Sequence, residues 1–258
     1  MRIDLYLFKF GYSRSRESAS RAIASGLVSV DGRVIKKPSE AIDENTEHTV
    51  LFEESIPYVG RGGLKLEGAL DAFDVDVDSL VCIDIGASTG GFTDCLLRRG
   101  ASFVYAVDSG HGQLARELRD DGRVRSLEGM NARYLSIDDI GERASVVVMD
   151  VSFISQTLII PNIPQLLLDD GKLVTLIKPQ FECNREAIGK GGIVKKPEHR
   201  RNAVRRVVVA AADVGLHLCG IVRSPVVGGD GNIEYLALFE KEERVSPEQL
   251  LAQIDYSK

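Results

Sequence analysis

Four charged residues, Lys65, Asp150, Lys178 and Glu234, stand where apolar runs end or begin. Asp150 closes Val146-Val147-Val148-Met149, and Lys178 closes Leu173-Val174-Thr175-Leu176-Ile177. Lys65 precedes a glycine-rich stretch, and Glu234 lies in the last hairpin. In open α/β sheets ligands bind outside the carboxyl ends of the strands, which is where Asp150 and Lys178 would fall. Amines and carboxylates are groups that orient, hold and move protons. One charge at the end of an apolar strand is commonplace. Four of them, with Pro179-Gln180-Phe181-Glu182 following Lys178, make a more specific pattern.

The second constellation is Val81 to Thr93, Val-Cys-Ile-Asp-Ile-Gly-Ala-Ser-Thr-Gly-Gly-Phe-Thr. An apolar run with Asp84, then Gly86, Gly90 and Gly91, then Phe92 to Leu97, predicts strand, tight turn and helix start. Such a turn needs φ > 0 and lets backbone N–H groups at a helix N-terminus approach an anionic or carboxylate group. Ser88 replaces the middle glycine of the dinucleotide fingerprint, so a smaller adenosyl ligand fits better than a pyrophosphate. Asp108 ends the next apolar run, Phe103 to Val107, where an acid accepts from ribose hydroxyls. Asn131, after the third strand, is a candidate for reaching an adenine.

These residues require a sheet to hold them. Apolar runs at 81–86, 102–107, 123–127, 145–150, 172–178, 218–223 and 233–240 alternate with helical stretches, which predicts a mostly parallel sheet covered on both faces. Gly228-Gly229-Asp230-Gly231 before the last run predicts an antiparallel edge hairpin. Leu64 to Leu70 predicts an amphipathic helix, and Ser246-Pro247-Glu248-Gln249 predicts the start of a short terminal one.

The first fifty residues read differently. Ile3, Leu5, Leu7 and Phe10 predict a helix ended by Gly11, and a second helix runs from Ser13 to Gly26. Val28-Ser29-Val30, Asp31-Gly32 and Arg33-Val34-Ile35 predict a hairpin on an Asp-Gly turn. Met1 to Pro38 holds eight basic residues against three acidic ones, although the whole chain of 258 residues has a net charge of −6. Arg14, Arg16, Arg21, Lys36 and Lys37 form one basic group. Arg61, Lys195, Lys196, Arg200 and Arg201 belong to others further along, and phosphate binding rests on such clusters more than on the sum. Solvated faces are the plain alternative.

Composition narrows the class. With 44% hydrophobic residues the chain can bury a full core, and no apolar run approaches the roughly 18 residues of a membrane span. The N-terminus lacks a secretory pattern, so a cytoplasmic protein is expected. Cys82, Cys95, Cys183 and Cys219 have no C-x-x-C spacing and the four histidines are dispersed, so neither disulfides nor a metal centre is expected.

The first segment, with Arg2-Ile3-Asp4-Leu5-Tyr6-Leu7, Gly11, Ser15-Arg16 and Gly26-Leu27-Val28-Ser29-Val30-Asp31-Gly32, resembles the S4 family of RNA-binding modules. Lys65, Asp150, Lys178 and Glu234 resemble the Lys-Asp-Lys-Glu tetrad of the RNA 2′-O-ribose methyltransferases related to FtsJ. Together with Arg61-Gly62-Gly63-Leu64-Lys65, Asp84 to Asp94, Asp150 to Ser155, Lys178 to Glu182, Gly189 to Val194 and Asn232 to Tyr235, nearly the whole chain resembles the TlyA family. That family carries the label hemolysin A but methylates ribosomal RNA.

The resemblance implies a Rossmann-like class I methyltransferase domain with a seven-stranded sheet, preceded by a small α+β S4-like domain. Boundaries at 1–56, a linker at 57–63, the catalytic domain at 64–245 and a tail at 246–258 are expected. It implies S-adenosyl-L-methionine as cofactor, held by Asp84, Gly86, Ser88, Gly90, Gly91, Asp108 and Asn131. It implies ribosomal RNA or ribosomal subunits as partner, a cytidine 2′-hydroxyl as acceptor and Lys178 as general base, with Asp150 and Glu234 orienting. Modified nucleotide, subunit and oligomeric state stay open. Three other readings compete. A nicotinamide oxidoreductase is opposed by Ser88 and by the lack of a catalytic Tyr-x-x-x-Lys. A membrane-active hemolysin is opposed by the lack of an inserting segment, and a non-catalytic RNA-binding protein by the intact tetrad.

Overall fold

The computed structural model describes residues 1–13, 15–24, 26–52, 57–226, 228 and 231–257. The chain divides into two compact units, Met1–Val59 and Gly60–Lys258.

In the first unit, α1 (Ile3–Lys9) and α2 (Arg16–Ala24) accompany β1 (Val28–Val30), β2 (Arg33–Val34) and β3 (Val50–Phe52). The strands form an antiparallel sheet in the order β2-β1-β3. Ile3, Leu7, Ala19, Ile23, Val28 and Ile35 are fully or almost fully buried in its core. The hairpin turns where expected, with Asp31 and Gly32 both at positive φ, 52° and 77°, as a two-residue primed turn requires. The third strand has no counterpart in the sequence reading. The Asp31 carboxylate, which accepts from the Thr49 N–H at 2.9 Å, ties β3 to that turn.

Among the described residues the second unit contains seven strands: β4 (Val81–Ile85), β5 (Phe103–Asp108), β6 (Val124–Glu128), β7 (Ala144–Met149), β8 (Leu167–Ile177), β9 (His217–Arg223) and β10 (Tyr235–Glu240). Its helices are α3 (Gly62–Phe73), α4 (Gly91–Arg98), α5 (Arg116–Arg119), α6 (Ile137–Ile140), α7 (Ile163–Leu166), α8 (Pro179–Glu182), α9 (Pro197–Ala212) and α10 (Pro247–Gln253). The sheet order is β6-β5-β4-β7-β8-β10-β9. β4 to β8 pair in parallel, and β10 runs antiparallel between β8 and β9. This is the mostly parallel seven-stranded plan with an antiparallel end pair that the sequence predicts.

Burial explains the composition. β4, β7 and β10 are buried almost throughout, as strands covered on both faces must be, so they read as continuous apolar runs rather than alternating ones. β8 is longer than expected because it begins before Asp169-Asp170-Gly171. The register jumps from Ala144↔Leu167 to Val146↔Lys172, so these turn-forming residues bulge from the ladder. No described helix is long and apolar enough to cross a membrane.

The strand order reverses between β4, which leads to β5, and β7 on its other side. A crevice opens at the carboxyl ends of these two strands, and the chemistry-bearing residues gather there.

Candidate functional site

The β4 loop is seated directly on the end of β7. Gly86 has φ 88°, and a Cβ there would lie 2.4 Å from the Asp150 carbonyl oxygen. The Asp150 N–H in turn donates to the Ile85 carbonyl at 2.9 Å. Only glycine allows this approach, so Gly86 fixes where Asp150 stands. Gly91 does the same for α3, since a Cβ there would meet the Gly63 nitrogen at 3.0 Å, while a Cβ on Gly62 would make ordinary contact with the Phe92 ring at 3.4 Å and with Asp150 Oδ2 at 3.9 Å. α3 thus begins inside the stretch expected as linker, with its first turn against Asp150.

Lys65, one turn into α3, is buried and its Nζ stands 2.5 Å from Glu234 Oε2. Lys178 Nζ lies 2.6 Å from Asp150 Oδ1 and donates to Ser152 Oγ at 2.8 Å. The β8·β10 register pairs Ile177 with Tyr235, and its next step sets Lys178 across from Glu234. The four residues therefore gather as two ion pairs at one sheet edge, although their elements are far apart in the chain.

Two hollows adjoin them. The larger, about 600 Å³, is lined by Gly86, Ser88, Asp108, Asn131, Asp150 and Phe153, among others. The smaller, about 200 Å³, is lined by Arg61, Thr89, Phe92 and Lys178, and shares Gly86, Ser88, Asp150 and Ser152 with the larger. Asp108 accepts from the Ser88 N–H at 2.8 Å through Oδ2 and from the Gly110 N–H at 2.7 Å through Oδ1. Each carboxylate oxygen keeps a further lone pair for a ligand hydroxyl. Ser88 itself adopts φ 49°, the left-handed region that a serine occupies at a cost.

Not every expected cofactor residue faces the larger hollow. Asp84 is wholly buried beneath the loop and accepts from Thr93 Oγ1 at 2.7 Å, while its Oδ1 has no hydrogen-bond partner among the described residues. Burial, seconded by the charges of Asp150 and Asp108 and opposed by Thr93, pushes its carboxyl up to about 7. Gly90 packs against Leu118 and Leu114, and Gly91 serves the approach of α3 and borders the smaller hollow. Asn131 lines the larger hollow and its Oδ1 caps the following turn by accepting from the Arg133 N–H at 3.0 Å.

Among the basic candidates, Lys36, Lys37, Arg61, Lys195, Lys196 and Arg201 are exposed. Arg16 is paired with Asp4 at 3.1 Å and Arg21 with Glu17 at 3.2 Å. Arg14 lies outside the described residues. Arg200 needs correction: it is buried, and its guanidinium donates to the carbonyls of Val194, Lys195 and Tyr256. It ties α9 to the preceding loop and to the C-terminal segment, so it is not presented for phosphate.

The sequence reading passed over three residues of the site. Ser152 accepts the hydrogen bond of Lys178, while the 2.6 Å contact with Asp150 is an ion pair in which Oδ1 has no directed hydrogen bond among the described residues. Phe153 is 93% exposed at φ 64° and lies 5.2 Å, centroid to centroid, from the Phe181 ring. Glu128, at the end of β6, accepts from the N–H groups of Gly112, Gln113 and Leu114, which holds its carboxyl below the usual range and organises the loop beside Asp108. A bulky residue following the acid that ends a strand is the one sequence signal that points to Phe153.

Residues 58–241 match the FtsJ-like methyltransferase family and residues 1–48 the S4 domain. The 16S/23S rRNA (cytidine-2′-O)-methyltransferase TlyA of Mycobacterium tuberculosis is 44% identical over 91% of this chain and 87% of its own. Hemolysin A of Brachyspira hyodysenteriae is 43% identical over 93% and 99% respectively. A solved structure from Streptococcus thermophilus, provisionally titled a hemolysin, has 43% identity and a TM-score of 0.75, covering 98% of this chain and 94% of that one. An S-adenosylmethionine dependent methyltransferase from Mesorhizobium loti shares the fold alone: 16% identity, TM-score 0.52, covering 70% of this chain and 99% of that one. The chain therefore belongs to the FtsJ-like methyltransferases, with TlyA and hemolysin A among its relatives, and carries an S4 domain in front of the methyltransferase fold.

Proposed function

We propose that this enzyme methylates the 2′-hydroxyl of a nucleotide, a cytidine, in ribosomal RNA, with Lys178 as the base that takes the hydroxyl proton. The observation that carries this reading is Lys178 Nζ at 2.6 Å from Asp150, on the wall of the smaller hollow, which shares Gly86, Ser88, Asp150 and Ser152 with the larger one that Asp108 lines. The name of the Mycobacterium tuberculosis relative supports the substrate, and the S4 unit supports an RNA partner. A ribosomal substrate implies action in the cytoplasm.

S-adenosyl-L-methionine fits the larger hollow. Its volume is that of a cofactor site, Asp108 has lone pairs for ribose hydroxyls, and Asp108 with Asp150 favours a cationic ligand. Bound there, the cofactor would supply a methyl group already activated on a sulfonium. What remains is for the protein to bring a ribose oxygen into line and remove its proton.

The residues divide that work. Asp150 orients Lys178 and balances the charge that Lys178 gains with the proton. Glu234 does the same for Lys65, whose positive charge beside the site favours the developing negative charge on the hydroxyl oxygen. Phe153 offers an exposed ring face to a base, and Arg61, Lys195, Lys196 and Arg201 offer charges to phosphates. Asp84 acts from below the loop as a support rather than a ligand.

The test is methyl transfer from labelled cofactor to ribosomal subunits, followed by mass mapping of 2′-O-methyl groups. Transfer that vanishes in Lys178→Ala, with cofactor still bound, is expected. Full transfer by Lys178→Ala would overturn the assignment of the base, and methyl groups found only on base atoms would overturn the acceptor.

A further inference from the structure

Lys178 has two acceptors within reach, and both come from one short segment after β7. Asp150 Oδ1 is 2.6 Å from Nζ and Ser152 Oγ is 2.8 Å from it. The Asp150 N–H, bonded to the Ile85 carbonyl, holds the start of this segment to β4. Phe153, in the left-handed region at φ 64°, turns the chain immediately after Ser152. The hydroxyl of Ser152 is thereby placed on the boundary of both hollows.

A neutral primary amine has two N–H groups and one lone pair. The Cε–Nζ bond is held by the chain, so once one N–H is given to Ser152 Oγ two tetrahedral positions are left for the second N–H and the lone pair. The Asp150 carboxylate, paired in charge with Nζ although its Oδ1 has no directed hydrogen bond among the described residues, draws the second N–H to its side and leaves the other position to the lone pair. We propose that Ser152 is a positioning residue for Lys178: by accepting one N–H, with the Asp150 charge drawing the other, it aims the lone pair at the acceptor hydroxyl in the smaller hollow. The inference rests on Lys178 being the base.

The proton step balances simply. The O–H bond of the ribose breaks and leaves its electron pair on oxygen, while the lone pair of Nζ forms the new N–H bond. The ammonium then has three donors, of which Ser152 holds one as before, and the Asp150 charge balances the one gained. The other charged groups near Lys178 are Glu234, across the register and already paired with Lys65, and Arg61 on the wall of the smaller hollow. Neither contributes an oxygen that the structure places on Nζ.

The experiment uses the full chain with labelled S-adenosylmethionine and ribosomal subunits, comparing wild type, Ser152→Ala, Ser152→Thr and Lys178→Ala. Ser152 is exposed, so its two variants are expected to melt close to wild type, whereas Lys178→Ala strands Asp150 and is expected to melt lower, so all forms are assayed well below its transition. For Ser152→Ala, kcat should fall roughly 10- to 100-fold, with KM for the subunits and Kd for the cofactor changed less than about two-fold. Ser152→Thr, which keeps the hydroxyl, should recover most of the loss. Unchanged kcat in Ser152→Ala, a parallel loss of cofactor affinity, or no recovery in Ser152→Thr would overturn the inference. If Lys178→Ala is dead while Ser152→Ala is normal, only this inference fails; if Lys178→Ala is active, the assignment of the base fails first.

Discussion

Lys65 Nζ and Glu234 Oε2 stand 2.5 Å apart across 169 residues of sequence, and both side chains are almost fully removed from solvent. A buried pair of this kind contributes little net stability, but loss of one partner strands the other charge. Lys65→Met or Glu234→Leu alone is expected to destabilise by about 3 kcal/mol or more. The double variant Lys65→Met/Glu234→Leu should recover most of that in urea unfolding while remaining inactive. A double variant no more stable than either single one would show that the pair is not isolated in the way the contacts indicate.

Asp84 makes stability depend on pH. Its native carboxyl holds the proton up to about 7, whereas the unfolded carboxyl releases it near its ordinary value of 3.8. Below that value the site carries no penalty; as pH rises towards 7, native stability falls, and above 7 the full penalty applies. At about 1.4 kcal/mol per pH unit the upper bound is ~4 kcal/mol. Asp84→Asn, which cannot ionise and can still accept from Thr93, should therefore be more stable than wild type at pH 8 and indistinguishable from it near pH 4. Denaturant midpoints across that range check the sign.

Arg200 and Arg201 are neighbours with opposite expected phenotypes. Arg200→Ala leaves the buried carbonyls of Val194 and Tyr256, and the part-buried one of Lys195, without their donor and is expected to cost at least about 2 kcal/mol of stability. Arg201→Ala should leave stability unchanged and lower RNA affinity, with a shallower dependence of binding on salt. Melting curves and filter binding at two ionic strengths separate the two.

Phe153→Gly tests whether the exposed ring is there for a ligand. The residue is at φ 64° and buries almost nothing, so glycine should leave the melting point unchanged or raise it. Methyl transfer to RNA should nevertheless fall by about ten-fold or more, as for the loss of a base-stacking ring. Retention of full transfer would assign the ring no part in the reaction.

The legible parts of the sequence were those where one physical rule dominated. β4, β5, β7 and β10 are continuous apolar runs because both faces are covered, and Asp150 and Lys178 stand out because they interrupt such runs. The Asp31-Gly32 turn was legible because its backbone demands those residue types. β3 was not, since three residues, Val50-Leu51-Phe52, have no period and gain their partner only from β1. Arg200 was misread as part of a charge run, although its spacing to Ala203, Val204, Val207 and Ala211 puts it on the buried face of α9. Ser152 carries no signal at all, because a serine gains meaning there only once a lysine from another strand stands beside it.

The place of β10 inside the sheet has a bearing on biosynthesis. The ribosome makes this strand after β9, yet it lies between β8 and β9 and brings Glu234 to the site. A nascent chain that ends before Glu234 has two open strand edges and a lysine in α3 without its carboxylate. Catalytic competence must therefore wait until β10 has been made, and products of termination before it should be both inert and prone to aggregate.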